Sequence, residues 1–279
     1  MSNLQNRCFC LFGNPVSHSL SPVIHKIFSK QINIKYFYST ILTPKKSLSF
    51  FLKKFFSQEN NVGANVTLPF KKSVIKYVDF LSDRAKISES INTLKKIDKK
   101  FLVGDNTDGI GILYDLKRLN FLKKNFNILV IGAGGASYGI IPYLMYNMNK
   151  VYVYNRTHYK SYLLVKKFSN VGEIFCLKKN ELKNYNFNLI INATSSGIYG
   201  QIPDISSSII SENVYCYDLY FKKIGYTPFL QWCKKHGSLH VQDGIGMLVS
   251  QAAYSCLLWN KKLPNIENSL KSLKNSIKI

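Results

Sequence analysis

The sequence predicts an α/β protein of two α/β domains, the second inserted between the first and that domain's own C-terminal helices. Three observations carry this. The chain has 279 residues, 46% hydrophobic and 19% charged, enough to bury more than one core and enough to exclude general disorder. From Asn127 onward, short apolar runs alternate with helical stretches, and such alternation requires parallel strands with helices on both faces. Gly246 to Trp259, rich in Leu, Ala and Val, then supplies a late helix outside that alternation. The expected bounds are 1–106, completed by 243–279, for the first domain and 107–242 for the inserted one.

The elements follow in order. Cys8 to Phe12 is a strand that stops at Gly13-Asn14-Pro15. Ser21-Pro22 opens a helix, serine as N-cap and proline at the first helical position. Leu48, Phe51, Leu52, Phe55 and Phe56 mark one apolar helical stripe. Ala64 to Leu68 is a brief strand ended by Pro69, and Lys72 to Leu81 is expected to be helical. Asn127–Ile131 is a continuous apolar strand, Gly132–Gly135 a turn, Ala136–Met148 a helix and Val151–Tyr154 a second strand. A helix near Lys160–Phe168 and strands at Asn188–Asn192 and Val214–Asp218 continue the series.

Composition narrows the function classes. Lys+Arg is 38 against 15 for Asp+Glu, a formal net charge of +23. Such charge attracts nucleic acid or anionic membranes. Only Arg7, Arg84, Arg118 and Arg156 are arginines, however, and the lysines are scattered among many Asn, Ile, Phe and Tyr. Forked guanidinium groups are what base and phosphate readers favour. We therefore read the charge as a chain-wide bias and expect no nucleic-acid partner. Asn125 to Asn149 lacks charge and is long enough to cross a membrane, but Gly132-Ala133-Gly134-Gly135 at its centre suits a strand-to-helix turn. The six cysteines show no disulfide-framework or zinc spacing. Cys8 and Cys10 share one strand face, where a metal pair competes with plain burial, and no metal site is expected. Without a signal-peptide pattern, a reducing, cytoplasmic setting is expected.

The segment from Ile128 to Ser137 reads ILVIGAGGAS. Gly132, Gly134 and Gly135 follow a strand and open a helix, with a second strand about twenty residues on. The spacing departs from Gly-x-Gly-x-x-Gly, because Ser137 stands three places after Gly134. Glycines admit a pyrophosphate close to the backbone, and the helix N-terminus offers it unpaired N–H groups. A Rossmann-type dinucleotide site is expected over Gly132, Ala133, Gly134, Gly135 and Ala136. The end of the second strand chooses the cofactor. Asn155-Arg156-Thr157 and Lys160 stand where an NAD enzyme places a carboxylate for the ribose hydroxyls. Cations neutralise a 2′-phosphate that a carboxylate would repel, so NADP is expected.

Several polar clusters lie outside this unit: Gly13-Asn-Pro-Val-Ser-His-Ser-Leu-Ser-Pro22, Gly63-Ala-Asn-Val-Thr-Leu-Pro-Phe-Lys71, Ile91-Asn-Thr-Leu94, Gly104-Asp-Asn-Thr-Asp-Gly109 and Asp243-Gly-Ile-Gly-Met-Leu-Val-Ser-Gln-Ala252 onward. Singly, each is ordinary cap or turn chemistry. Together, in this order, and with Asn192-Ala-Thr-Ser-Ser-Gly197, they resemble the shikimate dehydrogenases of the aromatic amino-acid pathway over essentially the whole chain.

The resemblance implies reversible NADPH-dependent reduction of 3-dehydroshikimate to shikimate. Lys71 is then the acid/base group, with Asp108 beside it. Reduction of a ketone needs a proton donor at the developing alkoxide, and oxidation needs a base at the hydroxyl. Alone, Lys71 is one lysine among many; its place after Asn65-Val-Thr-Leu-Pro-Phe70 distinguishes it. Ser19 and Ser21 resemble the family's serine pair for the substrate carboxylate, and Thr67, Asn92 and Gln251 its other substrate contacts. Asp83, Leu219 and Gly244 are implied on the cofactor side. His18, between two serines, is tempting as a base, but the family gives that task to the lysine; His25 is assigned to helix surface or packing.

The family's tyrosine after the Tyr217-Asp218 pair falls on Phe221 without a gap and on Tyr220 with a shift of one. Leu219 takes a position often filled by methionine. A quinate/shikimate dehydrogenase using NAD is the competing enzyme, against which Asn155-Arg156 argues. A non-catalytic nucleotide sensor or an RNA-binding polycation is the competing class. Monomer or homodimer is expected.

Overall fold

The structure, a computed structural model, describes residues 7–277. The chain divides into two compact units. The first runs to Gly111 and resumes at Val249–Ile277; the second is Ile112–Leu248.

The first unit opens with strand Arg7–Gly13 (β1), helix Ser21–Gln31 (α1), strand Tyr36–Leu42 (β2), helix Leu48–Phe56 (α2) and strand Asn61–Val66 (β3). Strand Phe80–Leu81 (β4), helix Asp83–Ser88 (α3) and strands Thr93–Ile97 (β5) and Phe101–Asp105 (β6) follow. They form a six-stranded sheet in the order β2-β1-β3-β5-β6-β4. β1 is parallel to β2 and β3, whereas β5 runs antiparallel to both β3 and β6. Helix Asp108–Arg118 (α4) carries the chain across the division at Gly111.

Alternation along β1 separates the two faces of this sheet. Cys10 and Phe12 join Leu48 and Leu52 of α2, Ala64 and Val66 in one core. Phe9, on the opposite face, stacks on Trp259 at 4.4 Å. His25 is fully buried there, stacked on Tyr38 at 4.1 Å with its Nδ1 3.2 Å from the Tyr36 hydroxyl. Burial lowers its pKa to about 3 and keeps it neutral.

The second unit holds strand Asn127–Ile131 (β7), helix Gly135–Leu144 (α5), strand Lys150–Tyr154 (β8), helix His158–Phe168 (α6) and strands Ile174–Leu177 (β9), Leu189–Asn192 (β10) and Tyr215–Asp218 (β11). Helix Pro228–Lys235 (α7) and strand His240–Asp243 (β12) complete it. Six parallel strands run β12-β11-β10-β7-β8-β9, so the order reverses between β7 and β10. Ile128 and Val130 feed one core and Leu129 and Ile131 another, the continuous apolar strand of a sheet covered on both faces. Helix Ile245–Asn260 (α8) crosses the division at Val249, and helix Ile266–Ser276 (α9) ends the first unit.

Three local expectations are corrected. Lys72 to Leu81 is not one helix: a 3-10 turn at Ser73–Tyr77 precedes β4. The Asp79 N–H donates to Leu102 O at 2.9 Å and Asp79 Oδ2 accepts from Leu102 N at 2.7 Å, so pairing with β6 overrides the helical spacing. Ser21 is the first residue of α1 rather than its N-cap, which is Leu20. The helix expected through Met148 stops at Leu144, whose carbonyl accepts from Asn149 Nδ2 at 3.2 Å, and Asn147 is left-handed with φ 62. Among the described residues, no helix is long and apolar enough to cross a membrane.

Candidate active site

Sheet register assembles the first unit's polar cluster. Asn65 of β3 lies opposite Thr93 of β5, and Thr93 lies opposite Asp105 of β6. Because β5 is antiparallel to both neighbours, one end of this sheet gathers the end of β3, the start of β5 and the end of β6. The loops that leave those points bring in Thr67, Lys71, Asn92 and Asp108.

Each is fixed locally. Phe70 is buried and closes a turn by donating its N–H to Thr67 O at 2.9 Å. Lys71 then offers its carbonyl to Ile91 N–H at 2.7 Å, next to Asn92. Asp108 opens α4, where a carboxylate is favoured by the helix dipole, and its N–H donates to Asn106 Oδ1 at 2.9 Å. Asp105 anchors the approach to α4. Burial opposes its charge, but hydrogen bonds from Arg84 and Ser82 prevail and hold its carboxyl below the ordinary range.

These constraints bring Lys71 Nζ to 2.6 Å from Asp108 Oδ2, with the lysine side chain 16% exposed and the aspartate 4%. Asn92 Nδ2 donates to Asp108 Oδ1 at 2.9 Å and to Gln251 Oε1 at 3.1 Å. Gln251 comes from α8, and Gly111 of α4 admits it: a Cβ at Gly111 would stand 2.7 Å from Gln251 Cβ. Four predicted residues, distant in sequence, thus meet through one ion pair and two amide hydrogen bonds. Thr67 is partly exposed beside them in sequence, at the end of β3. Ser19 and Ser21 hydroxyls are 3.1 Å apart at the start of α1, Ser21 buried and Ser19 partly exposed. His18 is exposed.

In the second unit the glycine turn lies where the strand order reverses, the crevice at which open α/β sheets hold ligands. Gly132 has φ +112, and a Cβ there would stand 3.1 Å from the Ala193 backbone at the end of β10. Its N–H donates to Tyr154 O at 2.7 Å. The Gly132 carbonyl accepts from the Ser137 hydroxyl at 2.8 Å, which gives Ser137 a structural task where the usual pattern has glycine. Gly134, the N-cap of α5, has an unexceptional φ of −91, and a Cβ there would meet nothing within 4 Å. The fold therefore requires Gly132 but leaves open space over Gly134 at a helix N-terminus, a cradle that fits a phosphate group.

Asn155 joins β8 to this turn, accepting from Ala133 N–H at 3.2 Å and donating to Thr157 O at 2.9 Å. Arg156, Thr157 and Lys160 are exposed. This donor set, cationic and without a carboxylate at the end of β8, fits a phosphorylated ribose. Leu219 N–H donates to Asn192 O at 2.9 Å, and Gly244 packs against the Leu219 carbonyl, where a Cβ would stand 2.4 Å away. Tyr220 packs on Gly197, and its ring lies 6.2 Å from that of Phe221; both are half-buried. Asp218 accepts from Thr227 Oγ1 at 2.6 Å, Asn192 Nδ2 at 3.0 Å and Tyr220 N at 3.1 Å, yet burial raises its pKa to about 7. Asp83 lies in the other unit, exposed at the start of α3 and paired with Lys86 at 3.3 Å. Among the described residues, no group of three or more His, Cys, Asp or Glu could hold a metal ion.

Sequence reading assigned no role to Thr93, Thr107 or Asn65, which hydrogen-bond to Asn92, or to Ser255, which hydrogen-bonds to Thr93 and Asn65 behind it. Ser255 carries a usable signal: it follows Gln251 by one helical turn and so shares its face of α8.

Residues 11–94 match the model of the shikimate dehydrogenase substrate binding domain, and residues 116–199 match that of shikimate / quinate 5-dehydrogenase. The fold is similar to that of shikimate dehydrogenase from Aquifex aeolicus, at 30% identity and a TM-score of 0.86, covering 98% of this chain and 100% of that one. An Ael1 enzyme from Pseudomonas putida matches at 30% identity and a TM-score of 0.86, over 96% of this chain and 98% of that one. Shikimate 5-dehydrogenase from Thermus thermophilus, solved in complex with NADP(H) and shikimate, matches at 28% identity and a TM-score of 0.84, over 97% of this chain and 99% of that one.

Proposed function

The chain belongs to the shikimate dehydrogenase family, and from that premise we propose that it reversibly reduces 3-dehydroshikimate to shikimate with NADPH, Lys71 serving as acid/base beside Asp108. The observation that carries the residue assignment is the 2.6 Å ion pair between Lys71 and a nearly buried Asp108, bridged through Asn92 to Gln251.

NADPH, when bound, supplies the hydride. The chain's own residues handle the rest. Lys71, as an ammonium, gives a proton to the ketone oxygen as it becomes an alkoxide and recovers one from the hydroxyl in the reverse direction. Asp108 directs that ammonium with one carboxylate oxygen, while Asn92 occupies the other. Thr67, Asn92 and Gln251 hold the ring hydroxyls and carboxylate, and the Ser19–Ser21 pair offers hydroxyl donors to the carboxylate. Phe221, or Tyr220 beside it, contributes a further side chain. Fixing a small ring by several polar contacts restricts it to reactive orientations.

The second unit's turn, Gly132 through Ala136, would hold the pyrophosphate with backbone N–H groups. Asn155, Arg156, Thr157 and Lys160 would take the adenosine end, with the cations at the 2′-phosphate. Leu219 and Gly244 are assigned to the nicotinamide end, and Asp83 is assigned to the cofactor on family resemblance. The absence of a carboxylate after β8 favours this cofactor over NAD.

The test is an absorbance assay of purified protein with 3-dehydroshikimate and either NADPH or NADH, and in reverse with shikimate or quinate. The reading expects oxidation of NADPH that depends on 3-dehydroshikimate and a clear preference for NADPH. Faster turnover of quinate with NAD than of shikimate with NADP would replace it. No dehydrogenation, together with salt-sensitive RNA binding, would place the chain in a different class.

A further inference from the structure

Lys71 and Asp108 terminate a buried hydrogen-bond chain whose directions are set by backbone groups of fixed polarity. A backbone N–H can only donate, and that of Thr107 points at Asn92 Oδ1 at 2.8 Å. Asn92 Nδ2 must therefore face Asp108 and Gln251. A backbone carbonyl can only accept, and that of Asn92 accepts from Asn65 Nδ2 at 3.0 Å. Asn65 Oδ1 is thereby turned to the Tyr38 hydroxyl, which donates to it at 2.7 Å. Burial raises the Tyr38 pKa well above its ordinary value, so this hydroxyl stays a donor.

Thr93 and Ser255 join the two amides. The Thr93 hydroxyl donates to Asn92 Oδ1 at 2.8 Å, and Asn65 Nδ2 donates to Thr93 Oγ1 at 3.1 Å and Ser255 Oγ at 3.0 Å. The two hydroxyls are 2.7 Å apart. Thr93 has already given its one hydrogen to Asn92, so toward Ser255 it can only accept, and the single Ser255 hydrogen is shared between Thr93 and the Gln251 carbonyl at 3.1 Å. Asn65, Asn92, Thr93, Thr107 and Ser255 are all buried. Filling that volume needs only apolar side chains; burying hydroxyls and amides costs desolvation and gains orientation.

We propose that Thr93 and Ser255, backed by Asn65 and Tyr38, are positioning residues that hold the Asn92 amide with its nitrogen toward Asp108. Both Asp108 oxygens then face donors, and its charge is committed to Lys71. A reversed amide would set two acceptors against each other and take the donor from Gln251. The inference rests on the proposed role of Lys71 and adds a dependence on groups one layer behind it.

Wild-type oxidation of shikimate with NADP+ is measured first; if it is absent, the functional reading itself fails. With it established, Thr93→Val should lower kcat about tenfold, the worth of one buried hydrogen bond. Thr93→Ser should recover to within about threefold, well under the loss of a hydrogen bond. In an Asn92→Ala background, Thr93→Val should have no further effect on kcat, because its action runs through Asn92. Thermal melts accompany every variant. Should Thr93→Val fail to fold, Ser255→Ala is read in the same two backgrounds. Equal losses of kcat with and without Asn92, or a lowered melting temperature with unchanged kcat, would overturn the proposal.

Discussion

The two units prepare their sites by different means. In the first, Lys71, Asn92, Asp108 and Gln251 are held side chain to side chain, by partners up to 159 positions apart. In the second, the glycine turn is backbone, and Arg156, Thr157 and Lys160 project into solvent. The contrast follows from the ligands proposed for them. A small ring must be oriented by converging polar groups, whereas phosphates are held by N–H dipoles and diffuse charge. Substitutions in the first unit should therefore damage geometry, and those in the second should separate binding from folding.

Asp108→Asn tests the first unit through the partner of Lys71. It removes the charge opposite Lys71 and should lower kcat by about a hundredfold or more, within the range of general acid–base catalysis. A smaller change in kcat than in KM would instead make Asp108 a binding group.

Arg156→Ala should raise KM for NADPH by about tenfold or more, the worth of a charge-assisted hydrogen bond, and leave KM for NADH nearly unchanged. Equal effects on both cofactors would remove Arg156 from the phosphate.

The two turn glycines sharpen the comparison within the second unit. Gly132→Ala forces an L side chain to φ +112 against the Ala193 backbone and should cost about 1–3 kcal/mol in stability. Gly134→Ala faces open space, so stability should stay within about 0.5 kcal/mol while NADPH binding weakens. A destabilised Gly134→Ala, or one that binds NADPH normally, would contradict the cradle.

The smallest effect concerns pH. His25 has a folded pKa of about 3 because of burial, below its ordinary 6.5, so the unfolded chain binds more protons and stability falls as pH drops through that window. Asp218 is raised from 3.8 to about 7 by burial, so the folded state holds the extra proton and stability falls as pH rises from about 4 to about 7. Each contributes at most about 1.4 kcal/mol per pH unit. Hydrogen exchange from pH 7 to pH 5 should thus weaken protection around His25 and strengthen it around Asp218, with Asp218→Asn abolishing the second trend. Parallel changes in both units would break the distinction.

What the sequence disclosed follows the same division. β7, β8, β10 and β11 read as apolar runs, so these four strands and the turn were legible, whereas β9 and β12 at the sheet's two edges were not. β5 was not, because Lys95 and Lys96 interrupt it; their ammonium groups donate to the carbonyls of Leu258 and Phe56. β4 was hidden inside helical spacing that β6 overrides. Lys71, Asp108, Asn92 and Gln251 were legible through resemblance, but the hydroxyls behind them were not. Ser255 stands as a single polar residue in apolar surroundings and Thr93 is simply the neighbour of Asn92, and only strand register and the placement of α8 bring them together.

The most direct measurement pairs kcat with the shikimate dissociation constant for Lys71→Ala, the first from cofactor absorbance and the second from calorimetry. The account predicts turnover lowered by about a thousandfold, as when a general acid–base group is lost, with shikimate still bound within a few-fold of wild type. A variant that turns over at close to the wild-type rate would show that the proton travels by another group.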